Sequence, residues 1–203
     1  MLFMGQKMKK STVNQYIVDK FSHFNLNEEE LFELNKILIF KRFRRKEIVF
    51  SYGERVNTIA LIIEGAVYSS ILQQDGTTRI TSLHYPSTLG EIIFNFEDYL
   101  QDRPSKKNYR VQDDCLLLML DIPAVKRLYE QFPRFYQLEL MIIQPNFVTA
   151  LKNIEILQSK NAADKIKLLK FHAPEVFKLF PYGHIASYLG IHRNTFNNVI
   201  SIL

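Results

Sequence analysis

Gly183-His184-Ile185-Ala186-Ser187-Tyr188-Leu189-Gly190-Ile191-His192-Arg193-Asn194-Thr195-Phe196-Asn197-Asn198-Val199-Ile200-Ser201-Ile202-Leu203 closes the chain, and the spacing of its apolar residues decides how the rest is read. Ile185 and Leu189 share one helical face, Ala186 is small enough for a second helix to approach, and Gly190 stands where the chain must turn sharply. Beyond it, Phe196, Val199, Ile200 and Leu203 recur at the spacing that buries one face of a second helix. Arg193, Asn194, Asn197, Asn198 and Ser201 are left outward. The pattern is that of a helix-turn-helix. An ordinary helical hairpin closing a small domain would show the same spacing, so the upstream chain must discriminate between them.

A chain of 203 residues can bury a sizeable core and hold one or two domains. Its hydrophobic fraction of 47% and charged fraction of 23% are those of a soluble globular protein. Leu116-Leu117-Leu118-Met119-Leu120 is too short to span a bilayer, and the N-terminus lacks a charged segment followed by a long apolar run and a small-residue cleavage site. A cytoplasmic protein with no membrane partner is expected. The single cysteine, Cys115, excludes an internal disulfide and a cysteine-ligated iron–sulfur cluster within one chain. The net charge of +5 is concentrated: from Lys160 onward, Lys160, Lys165, Lys167, Lys170, Lys178 and Arg193 face only Asp164 and Glu175. Phosphate contact needs such clustering on the segment that carries the terminal motif, although a solvated basic face gives the same count.

In chain order, Ser11 to Phe24 reads as an amphipathic helix with Val13, Ile17 and Phe21 on one face. A second begins at Asn27, where Asn27 and Glu30 resemble a capping box and Leu31, Leu34 and Leu38 form the buried stripe. From Ile39 the texture changes to short apolar runs. Candidate strands are Ile39 to Phe43, Glu47 to Phe50, Thr58 to Ile63, Ala66 to Gln73, Thr77 to His84, Leu89 to Phe94 and Cys115 to Leu120. Ser51-Tyr52-Gly53-Glu54, Glu64-Gly65 and above all Gln74-Asp75-Gly76 are hairpin signals, so the segment reads as an antiparallel jelly roll. The basic run Lys41 to Lys46 lies between strands and is read as a solvated edge that resists aggregation rather than a nucleic-acid patch. After Asp121 the pattern is helical. Pro123 can open a short helix to Glu130, and Pro133 a long one. From Phe135 to Leu157 an apolar stripe is broader than one small domain needs, which suggests a partner helix and a two-fold dimer. Pro145 is expected to kink or break this helix. Asn161 to Asp164 reopens the chain into a helix to about Phe171, and a connector around Pro174 and Pro181 leads to the terminal motif.

With this order of elements, the chain resembles the cyclic-AMP receptor protein and FNR (Crp/Fnr) family of bacterial transcription regulators over nearly its full length. Glu64-Gly65-Ala66-Val67 and Asp75-Gly76 are similar to the family's glycine turns between roll strands. Leu89-Gly90-Glu91 resembles the start of its phosphate-binding cassette, and Ile185 to Ile191 with Arg193 and Thr195 its DNA-reading unit. The resemblance implies an α+β protein: residues 1–132 a cyclic-nucleotide-binding-like β-roll with N-terminal helices, 133–158 a dimerisation helix, and 159–203 a helix-turn-helix domain without a full wing. It implies a homodimer that binds a small effector, DNA and RNA polymerase.

On this resemblance His192, Arg193, Asn194, Thr195, Asn197, Asn198 and Ser201 are the DNA-binding candidates, with Arg193 foremost because its fork can reach guanine O6 and N7. Many members carry an acid where Asn194 lies and a second arginine where Asn198 lies, so sequence preference does not transfer. The effector candidates are Gly90, Glu91, Ser105, Lys106 and Thr149. Gly90 and Glu91 match the cassette of cyclic-nucleotide binders. Ser105, however, stands at the arginine that grips the cyclic phosphate, and Lys106 offers only a mobile point charge. Arg103, Lys106 and Lys107 can hold an anion or be plain solvated loop charges. No cofactor beyond an unknown small-molecule effector is indicated, and cyclic AMP is not the expected one. Neither a metal site nor an enzyme is expected, because the five histidines are scattered and a cupin would need them clustered. His84 as a haem ligand is a weak reading beside a structural one. The rival function is an effector-binding or protein-interaction module that no longer reads DNA.

Overall fold

The computed structural model describes residues 24–86 and 91–202. The expected Ser11 to Phe24 helix lies outside these residues except for Phe24. Helix α1 (Glu28–Ile37) starts on the capping box: Asn27 Oδ1 accepts from the Glu30 N–H and the Glu30 carboxylate from the Asn27 N–H, both at 2.9 Å. Glu30 is buried, and Arg134 offsets the cost of that burial by donating to Glu30 at 3.2 Å and to the Phe24 carbonyl at 2.5 Å. One guanidinium thus ties the first helix to the residue that opens the long one.

Six strands follow: β1 (Leu38–Phe43), β2 (Ile48–Phe50), β3 (Thr58–Leu72), β4 (Thr78–His84), β5 (Glu91–Ile93) and β6 (Asn108–Asp121). They form one antiparallel sheet in the order β1-β6-β3-β4, with β2 added to β6 and β5 to β3. Strand alternation sends Ala60, Ile62, Val67, Val111, Cys115 and Leu117 into the roll interior. The edge strand β1 carries the start of the basic run, and from Lys41 to Lys46 only Phe43 is buried, in keeping with a solvated edge.

Three expectations need correction. The two strands read on either side of Glu64-Gly65 are one, because β3 passes through without turning. Gly65 has φ +89°, a Cβ there would meet the Asp114 carbonyl at 2.3 Å, and the register against β6 slips on both sides of Glu64. A glycine that suits a hairpin also suits a bulge, and here it makes the bulge. The Ser51 to Glu54 turn closes no hairpin either, since β2 and β3 both pair with β6, and its Gly53 N–H donates to the Ser105 carbonyl at 2.8 Å. Finally, β6 begins at Asn108 rather than Cys115. Gln74-Asp75-Gly76 is a hairpin as read, with Asp75 accepting from the Thr77 N–H at 2.9 Å and hydroxyl at 2.6 Å.

The helices are α2 (Phe96–Leu100), α3 (Ile122–Gln131), α4 (Phe135–Gln158), α5 (Ala162–His172), α6 (Val176–Leu179), α7 (Tyr182–Leu189) and α8 (Arg193–Ile200). Asp121 caps α3 by accepting from the Ala124 N–H at 3.1 Å. Contrary to expectation, Pro145 does not break α4. Side chains serve the carbonyls around the ring: the Asn146 amide donates to the Ile142 carbonyl at 2.7 Å and the Thr149 hydroxyl to the Pro145 carbonyl at 3.0 Å. The C-terminal helices pack on the roll. Ala66 and Ile80 share a core with Ile166, Ile185, Leu189 and Phe196, and the Ile80 N–H donates to the Ser187 hydroxyl at 3.0 Å. Among the described residues no helix is long and apolar enough to cross a membrane.

Candidate nucleic-acid interface and effector site

The turn between α7 and α8 is built by backbone chemistry. Gly190 takes a left-handed φ of +67° at the α7 C-cap, and the Ile191 N–H donates to the Ala186 carbonyl at 2.9 Å. Lys165 donates to the Leu189 carbonyl at 3.2 Å, placing a cation at the negative end of α7. Phe196 is fully buried beside Phe177 and Tyr182, which fixes the rotation of α8 about its axis. His192, Arg193, Asn194, Thr195, Asn197, Asn198 and Ser201 are therefore all exposed. They do not all do the same work. His192 Nδ1 accepts from the Asn194 N–H at 3.3 Å as the N-cap, and the Ser201 hydroxyl donates to the Asn198 carbonyl at 2.8 Å, so both serve the ends of the helix. The side chains of Arg193, Asn197 and Asn198 make no hydrogen bond among the described residues. Lys160, Lys167, Lys170 and Lys178 are exposed on the same C-terminal segment.

The cassette is arranged in the opposite way. Asp98, on the single turn α2, is 1% exposed, and its carboxylate accepts from Arg103 Nε at 2.5 Å, from the Lys106 N–H at 2.8 Å and from the Asn95 amide. Burial raises the Asp98 carboxyl, but the hydrogen bonds from Lys106, Arg103 and Asn95 outweigh it and hold it below the ordinary carboxylate value. Ser105 is also buried. Its hydroxyl donates to the Lys107 carbonyl at 3.0 Å and accepts from the Lys107 N–H at 3.2 Å. The void it lines with Phe50, Glu54, Asn95 and Tyr109 is about 20 Å³. Lys106 contributes its backbone, and its side chain is exposed. Gly90 lies outside the described residues, as does the side chain of Glu91, whose backbone opens β5. Thr149 is not brought to Ser105 and Lys106; it lines a separate cavity of about 120 Å³ with Leu83, Tyr85, Lys152 and Tyr188. Asp98 and Asn95 were missed from sequence. Their signal was Asn95-x-x-Asp98 ahead of Arg103, an Asx-capped turn followed by a cation.

Outside the roll interior lies a larger cavity of about 370 Å³, walled by α1, β1, β3, β5, β6, α2, α3 and the first half of α4. Further along α4, Leu140, Phe147, Leu151 and Ile154 are 50% to 62% exposed.

Fold and sites together define a β-roll coupled by a long helix to a helix-turn-helix. Residues 40–132 match the family model of the cyclic nucleotide-binding domain. The anaerobic regulatory protein of Haemophilus influenzae is 24% identical over 189 residues, covering 87% of this chain and 72% of its own. The c-di-GMP responsive global regulator CLP of Xanthomonas campestris superposes with a TM-score of 0.66 at 12% identity over 87% of this chain and 91% of its own. FixK2 of Bradyrhizobium japonicum gives 0.65 at 15% identity over 82% and 84%. The resemblance read from the sequence therefore stands: residues 40–132 carry a cyclic nucleotide-binding domain, and the chain is similar to regulators of the Crp/Fnr type in sequence and in fold. Its relatives are regulators, not enzymes.

Proposed function

We propose that the chain is a homodimeric, cytoplasmic transcription regulator that binds DNA through α8, works with RNA polymerase, and answers to a small effector other than cyclic AMP. The observation that carries DNA binding is the outward face of α8, where Arg193, Asn194, Thr195, Asn197 and Asn198 are exposed and locally uncommitted. Arginine can read guanine, and asparagine can read adenine edges or hold phosphate. The dimer rests on α4. Leu140, Phe147, Leu151 and Ile154 follow a seven, four, three spacing that a second copy of the helix would bury.

Cyclic AMP is disfavoured because the cassette supplies its own anion in Asp98, has Ser105 in place of a guanidinium, and leaves about 20 Å³ beside it. Small-molecule sites start at about 300 Å³. Binding to a pool of genomic DNA fragments should fall linearly with the logarithm of salt concentration. Arg193→Ala should lose about 1 to 3 kcal/mol at the specific site. No salt-dependent binding by the unmodified protein would instead favour the effector-binding or interaction module. Isothermal titration with cyclic AMP should show no saturable heat at micromolar concentrations; saturable heat would refute that part of the reading.

A further inference from the structure

The cavity outside the roll is unlike the cassette in chemistry as well as size. Its floor is aliphatic, formed by Ile59 and Leu61 of β3, Leu118 and Leu120 of β6, and Leu34 and Ile37 of α1. Its polar lining residues all come from the facing helices: Tyr99 on α2, Lys126 and Tyr129 on α3, and Tyr136 and Glu139 on α4. A cavity of about 370 Å³, partly open to solvent, falls in the range of ligand sites.

We infer that this cavity binds a monoanionic amphipathic molecule, with its apolar body on the aliphatic floor and a carboxylate or comparable anion at Lys126 and Tyr99. Two observations set the charge. Lys126 is the one cation among the described residues that line the cavity, and its ammonium lies 5.6 Å from the Tyr99 ring. Glu139, the one anion among the described lining residues, lies on α4 and not on α3 with Lys126. The cation is exposed, so an arriving anion meets it without first stripping a buried ion pair. Because α4 forms one wall and carries the apolar stripe, occupancy here can bias how that helix packs. Naming the molecule as the effector rests on the regulator reading above; its binding does not.

Calorimetric titration of the full chain with decanoate, and with decanol as the uncharged probe, tests the site. Decanoate should bind saturably at one molecule per chain. Lys126→Gln, a surface change that leaves the floor intact, should weaken decanoate about tenfold and leave decanol unchanged. Ile59→Trp should abolish both by filling the floor; should that variant not fold, Tyr99→Phe should weaken decanoate alone. Absence of saturable decanoate binding, or equal loss of both probes in Lys126→Gln, overturns the inference and leaves the cavity to an apolar side chain of a second copy. DNA binding measured on the same samples keeps the two readings apart. Decanoate binding without DNA binding sinks only the regulator, and DNA binding without decanoate binding sinks only the site.

Discussion

The cassette and the C-terminal half of the molecule handle their reactive side chains in opposite directions. In the cassette, Asn95, Asp98, Arg103 and Ser105 hydrogen-bond to one another or to nearby backbone, so these four polar side chains are committed to the fold. Along α4 and α8, apolar Leu151 and polar Arg193 are exposed on helices whose rotation is fixed by well-buried Ile156 and Phe196. A residue type alone does not tell which it will be. An aspartate beside an arginine closed the first region, whereas an isolated arginine beside asparagines kept the second one open.

The largest effect that would break this contrast lies on the outward side. Leu151→Glu places a charge at both halves of a two-fold seam, and should raise the dimer dissociation constant by about a thousandfold or more in sedimentation. An unchanged dimer would mean that the α4 stripe is not offered to a second copy. On the inward side, Asp98→Ala strips Arg103 Nε and the Lys106 N–H of their acceptor, and should destabilise the roll by about 3 kcal/mol, the low end for a broken buried pair because Arg103 is partly exposed. The Asp98 carboxyl is held low in the fold, so its contribution is present above the ordinary value of 3.8 and lost as pH falls below it. Urea unfolding of the two proteins should therefore converge in acid. Added acetate should partly restore the variant at neutral pH, which would show the cassette to be an anion site occupied by its own side chain.

Much of this was legible from local chemistry. The capping box of Asn27 and Glu30, the hairpin at Asp75-Gly76 and the two faces of α8 each follow from residues within one turn of each other. What failed depended on distant partners. Glu64-Gly65 reads as a turn until the Asp114 carbonyl is seen beside it, forty-nine residues beyond Gly65 in the chain and 2.3 Å from where a Cβ would sit. Asn108 to Gln112 alternate polar and apolar residues as a half-buried strand does, but the exposed Asp113-Asp114 pair separates them from the apolar run that starts at Cys115. The outer cavity could not be read from sequence, because its walls come from eight elements and each apolar lining residue alone looks like ordinary core. The family resemblance pointed to Gly90, Glu91 and Ser105, and so directed attention to the interior of the roll rather than to its outer face.

The smallest expected effect sits at the seam between the two regions. His184 of α7 packs on the Tyr68 ring of β3 at 4.6 Å, and its Nδ1 has no hydrogen-bond partner among the described residues. Burial lowers its pKa from 6.5, because the imidazolium would lose water there while its Nδ1 gains no acceptor among the described residues. The unfolded chain then binds more protons than the folded one below that value, so stability is fully present above about pH 6.5 and declines as the solution is acidified through it. The side chain is only partly buried, so screening should keep the loss under about 1 kcal/mol by pH 5. His184→Phe keeps a ring against Tyr68 and removes the titration. Its unfolding free energy should be flatter than that of the unmodified protein between pH 7 and pH 5, and an identical slope would assign the acid sensitivity of the seam to another group.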